Sequence, residues 1–272
     1  MSDRTLDIDG TSLVCHTFGD GEPPLVLVHG FTGSSIDWID VVDDLAVDRQ
    51  VVTFDHRGHG ESTNVGDESG YSFARLVDDL EAVLDDLGVG PCDLLGHSMG
   101  GAVAMRYALR RPERLRSLIL MDTAARPIEG PSAELLRGAA GLVRALGMPA
   151  LLSFADVYSS SEETPEADRA RAQNRAKLEQ MDPAAFAALG DELAGSETII
   201  DRLADFDRVT TVIVGEKDSL LRAAADELAT TISGSVLVVI PGAGHSPQIE
   251  NRPAWMAAVR EHLIRAKGDG SG

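Results

Sequence analysis

Apolar residues along this chain follow two alternating patterns. Short aliphatic runs at 25–28, 50–54, 92–95, 115–121, 209–214 and 236–240 have the length and content of strands. Between them, apolar positions recur at helical spacing at 37–45, 73–87, 102–109, 223–231 and 253–266. The clearest helix is 73–87, where Leu76, Leu80, Val83, Leu84 and Leu87 share one face. Two earlier strand patterns, 5–9 and 13–17, are joined through Gly10 and read as an antiparallel hairpin. Strands that are apolar throughout and separated by helices predict a mostly parallel sheet with helices on both faces, an α/β fold.

The alternation stops after the sixth strand. Residues 126–206 carry no strand pattern, only helical ones punctuated by Pro127, Pro131, Pro149, Pro165 and Pro183. A helical block of this size between two strands of one sheet predicts a lid over the sheet's C-terminal edge. The expected organisation is a core of 1–125 and 207–266, a helical lid at 126–206 and a disordered tail at 267–272. An apolar stripe from Leu135 to Phe154, including Leu142, Val143, Leu146 and Leu152, either packs the lid on the core or lines a substrate cavity.

Composition narrows the partners. With 272 residues the chain suits one large domain carrying an insertion. Its formal charge of −20 is spread along the chain, which predicts a solvated acidic surface. No basic cluster is present, so neither nucleic acid nor an acidic membrane is an expected partner. No apolar run reaches the roughly 18 residues of a membrane span. The N-terminus is polar, so no secretory signal is expected. Cys15 and Cys92 lie in separate strand-like runs and read as buried thiols, which fits a cytoplasmic location.

The chemistry concentrates at 96–101, Gly96-His97-Ser98-Met99-Gly100-Gly101. This G-x-S-x-G pattern stands between a strand and a helix, where a sharp turn pushes the serine out of the sheet. Small residues are required at Gly96 and Gly100 because the neighbouring strand and helix leave no room for a side chain. A serine hydroxyl is a weak nucleophile and needs a base oriented by an acid. Downstream, the strand at 209–214 runs into Gly215-Glu216-Lys217-Asp218, and that at 236–240 into a glycine-rich loop ending in His245. Asp122, at the end of the strand at 115–121, is the rival acid. The strand at 25–28 runs into His29-Gly30-Phe31, where Gly30 lets the Phe31 N–H join the Met99 N–H against a developing oxyanion. Such donors are worth about 3–4 kcal/mol each in a transition state.

The other histidines read as supports: His29 and His97 for loops, His56 and His59 for a glycine-rich turn. Arg57 and Glu61 are expected to pair across that turn, and nothing nearby in sequence recruits His16 or His262. Phosphate-loop, metal-helix and zinc-spacing motifs are absent from the sequence, so no cofactor and no metal are expected.

His29-Gly30-Phe31, the 55–62 segment Asp-His-Arg-Gly-His-Gly-Glu-Ser, the 96–101 turn, 215–218 and Gly244-His245 together resemble the α/β-hydrolase superfamily over about residues 5–265. The resemblance implies Ser98 as nucleophile, Asp218 as acid, His245 as base, and Phe31 and Met99 as backbone oxyanion donors. It implies a cofactor-free serine hydrolase acting on a small carboxylic ester or lactone. Residues 29–34 with Trp38 also resemble the menaquinone-pathway succinyl-hydroxycyclohexadiene-carboxylate synthases, which are lyases. In that family an arginine follows the elbow glycines, whereas here Ala102 does. Carbon–carbon bond hydrolases share the machinery, and some ligand receptors resemble the same fold. Serine at the elbow argues against the haloalkane dehalogenase and epoxide hydrolase branches, which use aspartate there.

Overall fold

The computed structural model describes residues 2–158 and 165–269, with side chains described outside 154–170 and 269. In chain order the main elements are β1 (Ser2–Ile8), β2 (Thr11–Phe18), β3 (Leu25–Val28), α1 (Val42–Leu45), β4 (Val51–Phe54) and α2 (Phe73–Asp86). They continue with β5 (Cys92–His97), α3 (Met99–Arg110), β6 (Leu115–Met121), α4 (Gly130–Leu146), α5 (Met148–Tyr158), α6 (Pro165–Gln180) and α7 (Pro183–Gly195). The last are β7 (Val209–Gly215), α8 (Arg222–Thr231), β8 (Val236–Ile240), α9 (Pro247–Glu250) and α10 (Arg252–Asp269). The strands form one eight-stranded sheet in the order β1-β2-β4-β3-β5-β6-β7-β8. β1 and β2 are the expected hairpin, β2 also runs antiparallel to β4, and β3 to β8 are parallel.

Alternation along the strands builds two cores. Leu25, Leu27, Val51, Leu95, Ile119, Met121 and Ile213 face a layer containing Trp38, Trp255 and Val259. Val26, Val28, Val52, Leu94, Leu120 and Val212 face the opposite layer, formed largely by α2 and α3. Every residue of β3 and β4 is buried, which is why these strands read as unbroken aliphatic runs. Helix α2 starts at Ser72, whose hydroxyl accepts the Arg75 N–H at 3.2 Å. Leu76, Leu80, Val83 and Leu84 are buried as its spacing predicts, while Leu87 ends the helix half-buried.

Several acidic residues are not on the surface. Asp79, on α2, is fully buried and accepts Nε and Nη2 of Arg57, each at 2.6 Å. Arg57 therefore braces α2 rather than Glu61, whose own N–H goes to Asp55. Near the N-terminal ends of the central strands, buried Asp93 accepts from Arg116 and Ser117. Ser117 in turn accepts Nε2 of His262 at 2.8 Å, and the other ring nitrogen of His262 lies 2.7 Å from Thr211 Oγ1. This chain ties β5, β6 and β7 to α10, and burial pulls the His262 pKa down to about 3.

In the helical block between β6 and β7 only part of the predicted stripe is buried, with Val143 and Met148 in the core cluster. Leu135 and Leu146 are each 67% exposed, and α4 buries Val143 of the stripe together with Ala133 and Ala140. Small residues on that face let α4 approach α7 closely. Phe154 lies outside the described side chains. Helix α10 runs through Asp269, three residues into the stretch expected as a tail, and 270–272 lie outside the described residues.

Removing Asp79 would leave Arg57 charged and buried with no carboxylate against it. Asp79→Ala is expected to lower the unfolding free energy by about 3–5 kcal/mol, read by urea unfolding. A loss under about 1 kcal/mol would mean that the pair behaves as a surface ion pair.

Candidate active site

Strand β5 ends at His97 and helix α3 begins at Met99, so the whole reversal falls on Ser98. Its backbone lies at φ 53° and ψ −119°, a region that residues with a side chain rarely occupy. Four hydrogen bonds hold it there. The Ser98 N–H donates to Met121 O at 2.9 Å, and its carbonyl accepts Gly101 N–H, Ala102 N–H and the Thr123 hydroxyl. The turn is closely packed. A Cβ on Gly96 would fall 2.5 Å from Gly100 O, and one on Gly100 would overlap the carbonyls of Val28 and His29.

The loops after β7 and β8 bring two further side chains to Ser98. His245 Nε2 lies 3.0 Å from Ser98 Oγ, and His245 Nδ1 lies 2.6 Å from Asp218 Oδ2. An ionised carboxylate only accepts, so Nδ1 carries the proton and Nε2 is free to accept from the serine hydroxyl. Asp218 is buried, and its other oxygen accepts the N–H groups of Leu220 and Leu221. Burial opposes its charge, but the His245 contact and the Leu221 N–H together hold its pKa below the ordinary carboxylate value. The His245 loop is itself supported, because its carbonyl accepts His97 Nε2–H at 2.7 Å. His97 is buried, which drives its pKa down to about 3 and keeps the ring neutral.

Gly30 packs directly against the elbow, where an added Cβ would stand 3.0 Å from Ser98 Cβ. Among the described residues, the N–H groups of Phe31 and Met99 have no hydrogen-bond partner. His29 fixes the Gly30 loop, with Nδ1–H donating to Gly30 O at 2.9 Å and Nε2 accepting His56 N–H at 3.0 Å. Asp55 ties down neighbouring turns by accepting the N–H groups of Ser35 and Glu61.

Asp122 sits beside this group in a different environment. Its Oδ1 accepts Gly215 N–H at 2.9 Å, while its Oδ2 is buried without a partner among the described residues. Burial, with the Asp218 charge adding to it and the Gly215 N–H opposing, pushes its pKa up to about 8. Asp122, Asp218 and His245 have ligand atoms within 4.8 Å of one another, a spacing that would suit a cation. The Asp218–His245 hydrogen bond already uses the facing atoms of two of them.

A sequence profile described as the alpha/beta hydrolase fold matches residues 23–252. The chain is an enzyme of the α/β-hydrolase fold family. It is 30% identical over 265 residues, 92% of this chain and 90% of the other, to the 2-hydroxymuconate semialdehyde hydrolase of Pseudomonas sp. (strain CF600). It is 27% identical over 246 residues, 88% of this chain and 89% of the other, to a Bacillus subtilis (strain 168) protein assigned as a 2-succinyl-6-hydroxy-2,4-cyclohexadiene-1-carboxylate synthase. Among solved structures, a thermophilic esterase from Thermogutta terrifontis superposes with a TM-score of 0.84 at 29% identity, covering 98% of this chain and 99% of that one.

In this α/β-hydrolase, a narrow cleft opens over Ser98 between α3 and the helical block, lined among others by Phe73, Ala102, Arg106, Ile128 and Leu193. Of the block's apolar residues, Ile128 and Leu193 line it, while no residue of the predicted stripe from Leu135 to Phe154 does so among the described side chains. Arg106 was not singled out by sequence. The available signal was its position four residues after Ala102, on the same face of α3.

Because Asp122 holds its proton in the folded protein up to about pH 8, against about 3.9 when unfolded, the native state binds the extra proton across that window. Stability therefore falls as pH rises from about 4 to about 8, by at most about 1.4 kcal/mol per unit from this group. Asp122→Asn is expected to flatten that decline, measured by urea unfolding at several pH values. Parallel stability curves for the two proteins would contradict the assignment.

Proposed function

We propose that this protein is a serine hydrolase that cleaves a small carboxylic ester or lactone through an acyl-enzyme on Ser98. The contact of His245 with both Ser98 and Asp218 is the single observation that carries this reading. The Ser98 oxygen attacks the substrate carbonyl while its proton moves to His245 Nε2. The oxyanion of the tetrahedral adduct accepts the Phe31 and Met99 N–H groups. The adduct collapses by breaking the carbon–oxygen bond to the alcohol, which leaves with the proton from His245. Water then attacks the acyl-serine, gives its proton to the same nitrogen, and releases the acid and the free hydroxyl. Asp218 holds the imidazole in the required tautomer and stabilises its cation.

The esterase likeness at 29% identity supports an ester as the substrate class. In this reading 126–206 acts as a lid on a core formed by 1–125 and 207–266, since Ile128 and Leu193 of the block line the cleft with Ser98. A cytoplasmic site of action fits two buried, unpaired cysteines. The likeness to the semialdehyde hydrolase and the synthase favours a second reading, in which the same serine and histidine act on a carbon–carbon bond or abstract a proton.

Ser98→Ala is expected to reduce turnover of simple alkyl and aryl esters by about 10⁶-fold. Wild-type turnover by the variant would overturn the proposal, and a folded wild-type enzyme inert on every ester and lactone would favour the second reading.

The two acids separate in the same assay. Asp218→Asn is expected to lower kcat by about 10⁴-fold, as loss of the correct tautomer does in serine proteases. Asp122→Asn should cost less than about tenfold, because Asp122 touches neither His245 nor Ser98. The reverse order would make Asp122 the acid of the site.

A further inference from the structure

Arg106 has an unusual combination of neighbours. It projects from α3 into the cleft above Ser98, and burial lowers its pKa against the opposing charges of Glu192 and Glu197. Among the described residues it forms no ion pair. Its Nη1 donates to Ala102 O at 3.0 Å and its Nη2 to Glu197 O at 3.1 Å, both backbone carbonyls. A guanidinium has five N–H donors, so three remain beyond these bonds. The Phe73 ring lies beneath it, 4.6 Å from centroid to Cζ, and fixes the plane of the fork. Nearby Glu192 acts on Arg106 through its charge and uses one carboxylate oxygen to accept the Phe73 N–H at 3.2 Å. The cleft's other arginine, Arg126, is occupied, with Nε 2.9 Å and 3.1 Å from the two Glu227 oxygens.

A partly desolvated guanidinium that Glu192 and Glu197 offset only at a distance, without an ion pair among the described residues, is costly, and an anionic ligand reduces that cost. A planar fork with free donors matches a carboxylate. The position suits the reaction. On a helix, side chains lean toward the N-terminus, and the bond to Ala102 O places the Arg106 charge one turn beyond Ser98. At 1.5 Å per residue this is about 6–8 Å from the serine along the axis. A reacting carbonyl at Ser98 and a carboxylate at Arg106 can then belong to one short acyl chain in the same cleft.

We propose that Arg106 binds a carboxylate carried by the acyl part of the substrate, so that the esters cleaved at Ser98 are half-esters of short dicarboxylic acids. The inference rests on Ser98 acting as the nucleophile. The arginine further opposes the repulsion that a chain of net charge −20 exerts on an anion.

The test compares monoethyl glutarate with ethyl pentanoate, which carries a methyl group where the first has a carboxylate. Ethanol release is followed for wild type, Arg106→Met and Arg106→Lys, with folding of each checked by circular dichroism. Each cleavage consumes one water and yields ethanol with glutarate or pentanoate. Wild type is expected to favour monoethyl glutarate by about tenfold or more in kcat/KM, through KM. The ratio should collapse toward unity in Arg106→Met and be partly kept in Arg106→Lys. Equal use of both esters by wild type would overturn the carboxylate site and leave ester hydrolysis standing. A ratio unchanged in Arg106→Met, with both rates reduced together, would make Arg106 a brace for α3 and overturn the proposal. If neither ester is cleaved by folded wild type, the hydrolytic reading fails and this inference fails with it.

Discussion

The structure depends on one strained residue. Ser98 holds a positive φ that costs on the order of 1–3 kcal/mol for a residue with a side chain. The surroundings over-determine that conformation. Its N–H and carbonyl are bonded on both sides of the turn, and Gly96 and Gly100 permit backbone contacts that any Cβ would block. Most of the site follows from this placement. The hydroxyl is lifted off the sheet toward the loops after β7 and β8, and the Met99 N–H is left without a partner at the start of α3. Relaxing the turn would lower the local strain and move the hydroxyl away from His245.

Two carboxylates stand within reach of one imidazole, and their environments separate their roles. Asp218 faces the His245 ring and the N–H groups of the following turn, so its charge is stabilised. Asp122 is buried, meets one N–H and faces the Asp218 charge, so it holds its proton to about pH 8. A neutral Asp122 places no second negative charge behind Asp218. The same reasoning covers the buried Arg57–Asp79 pair and the Asp93 network at the opposite edge of the sheet. In each, a charge is tolerated in the interior because its donors are already positioned.

The parts legible in sequence were those that depend on local pattern. The aliphatic runs, the hairpin through Gly10, the break after the sixth strand and the elbow glycines all encode their structure within a few residues. Ser98, Asp218 and His245 could be singled out as candidates because each lies within about five residues of a strand end. Contacts between distant segments were not legible. Asp79 reads as one more surface acid beside Asp78, until Arg57 is found across the fold from it. His262 is isolated in sequence because its partners Ser117 and Thr211 come from two distant strands. The apolar stripe from Leu135 divides: Val143, Met148 and Leu152 are buried, whereas Leu135 and Leu146 face outward because α4 buries Ala133 and Ala140. Arg106 carries no local motif, because the direction of its side chain is set by Phe73 and the Glu197 carbonyl.

The central claim is that this geometry makes one hydroxyl reactive among the many serines of the chain. It is tested most directly by incubating the folded protein with a fluorophosphonate and mapping the adduct by peptide mass spectrometry. The account predicts a stoichiometric adduct on Ser98 that is lost in His245→Ala. An adduct on another serine, or none on a folded and soluble sample, would contradict it.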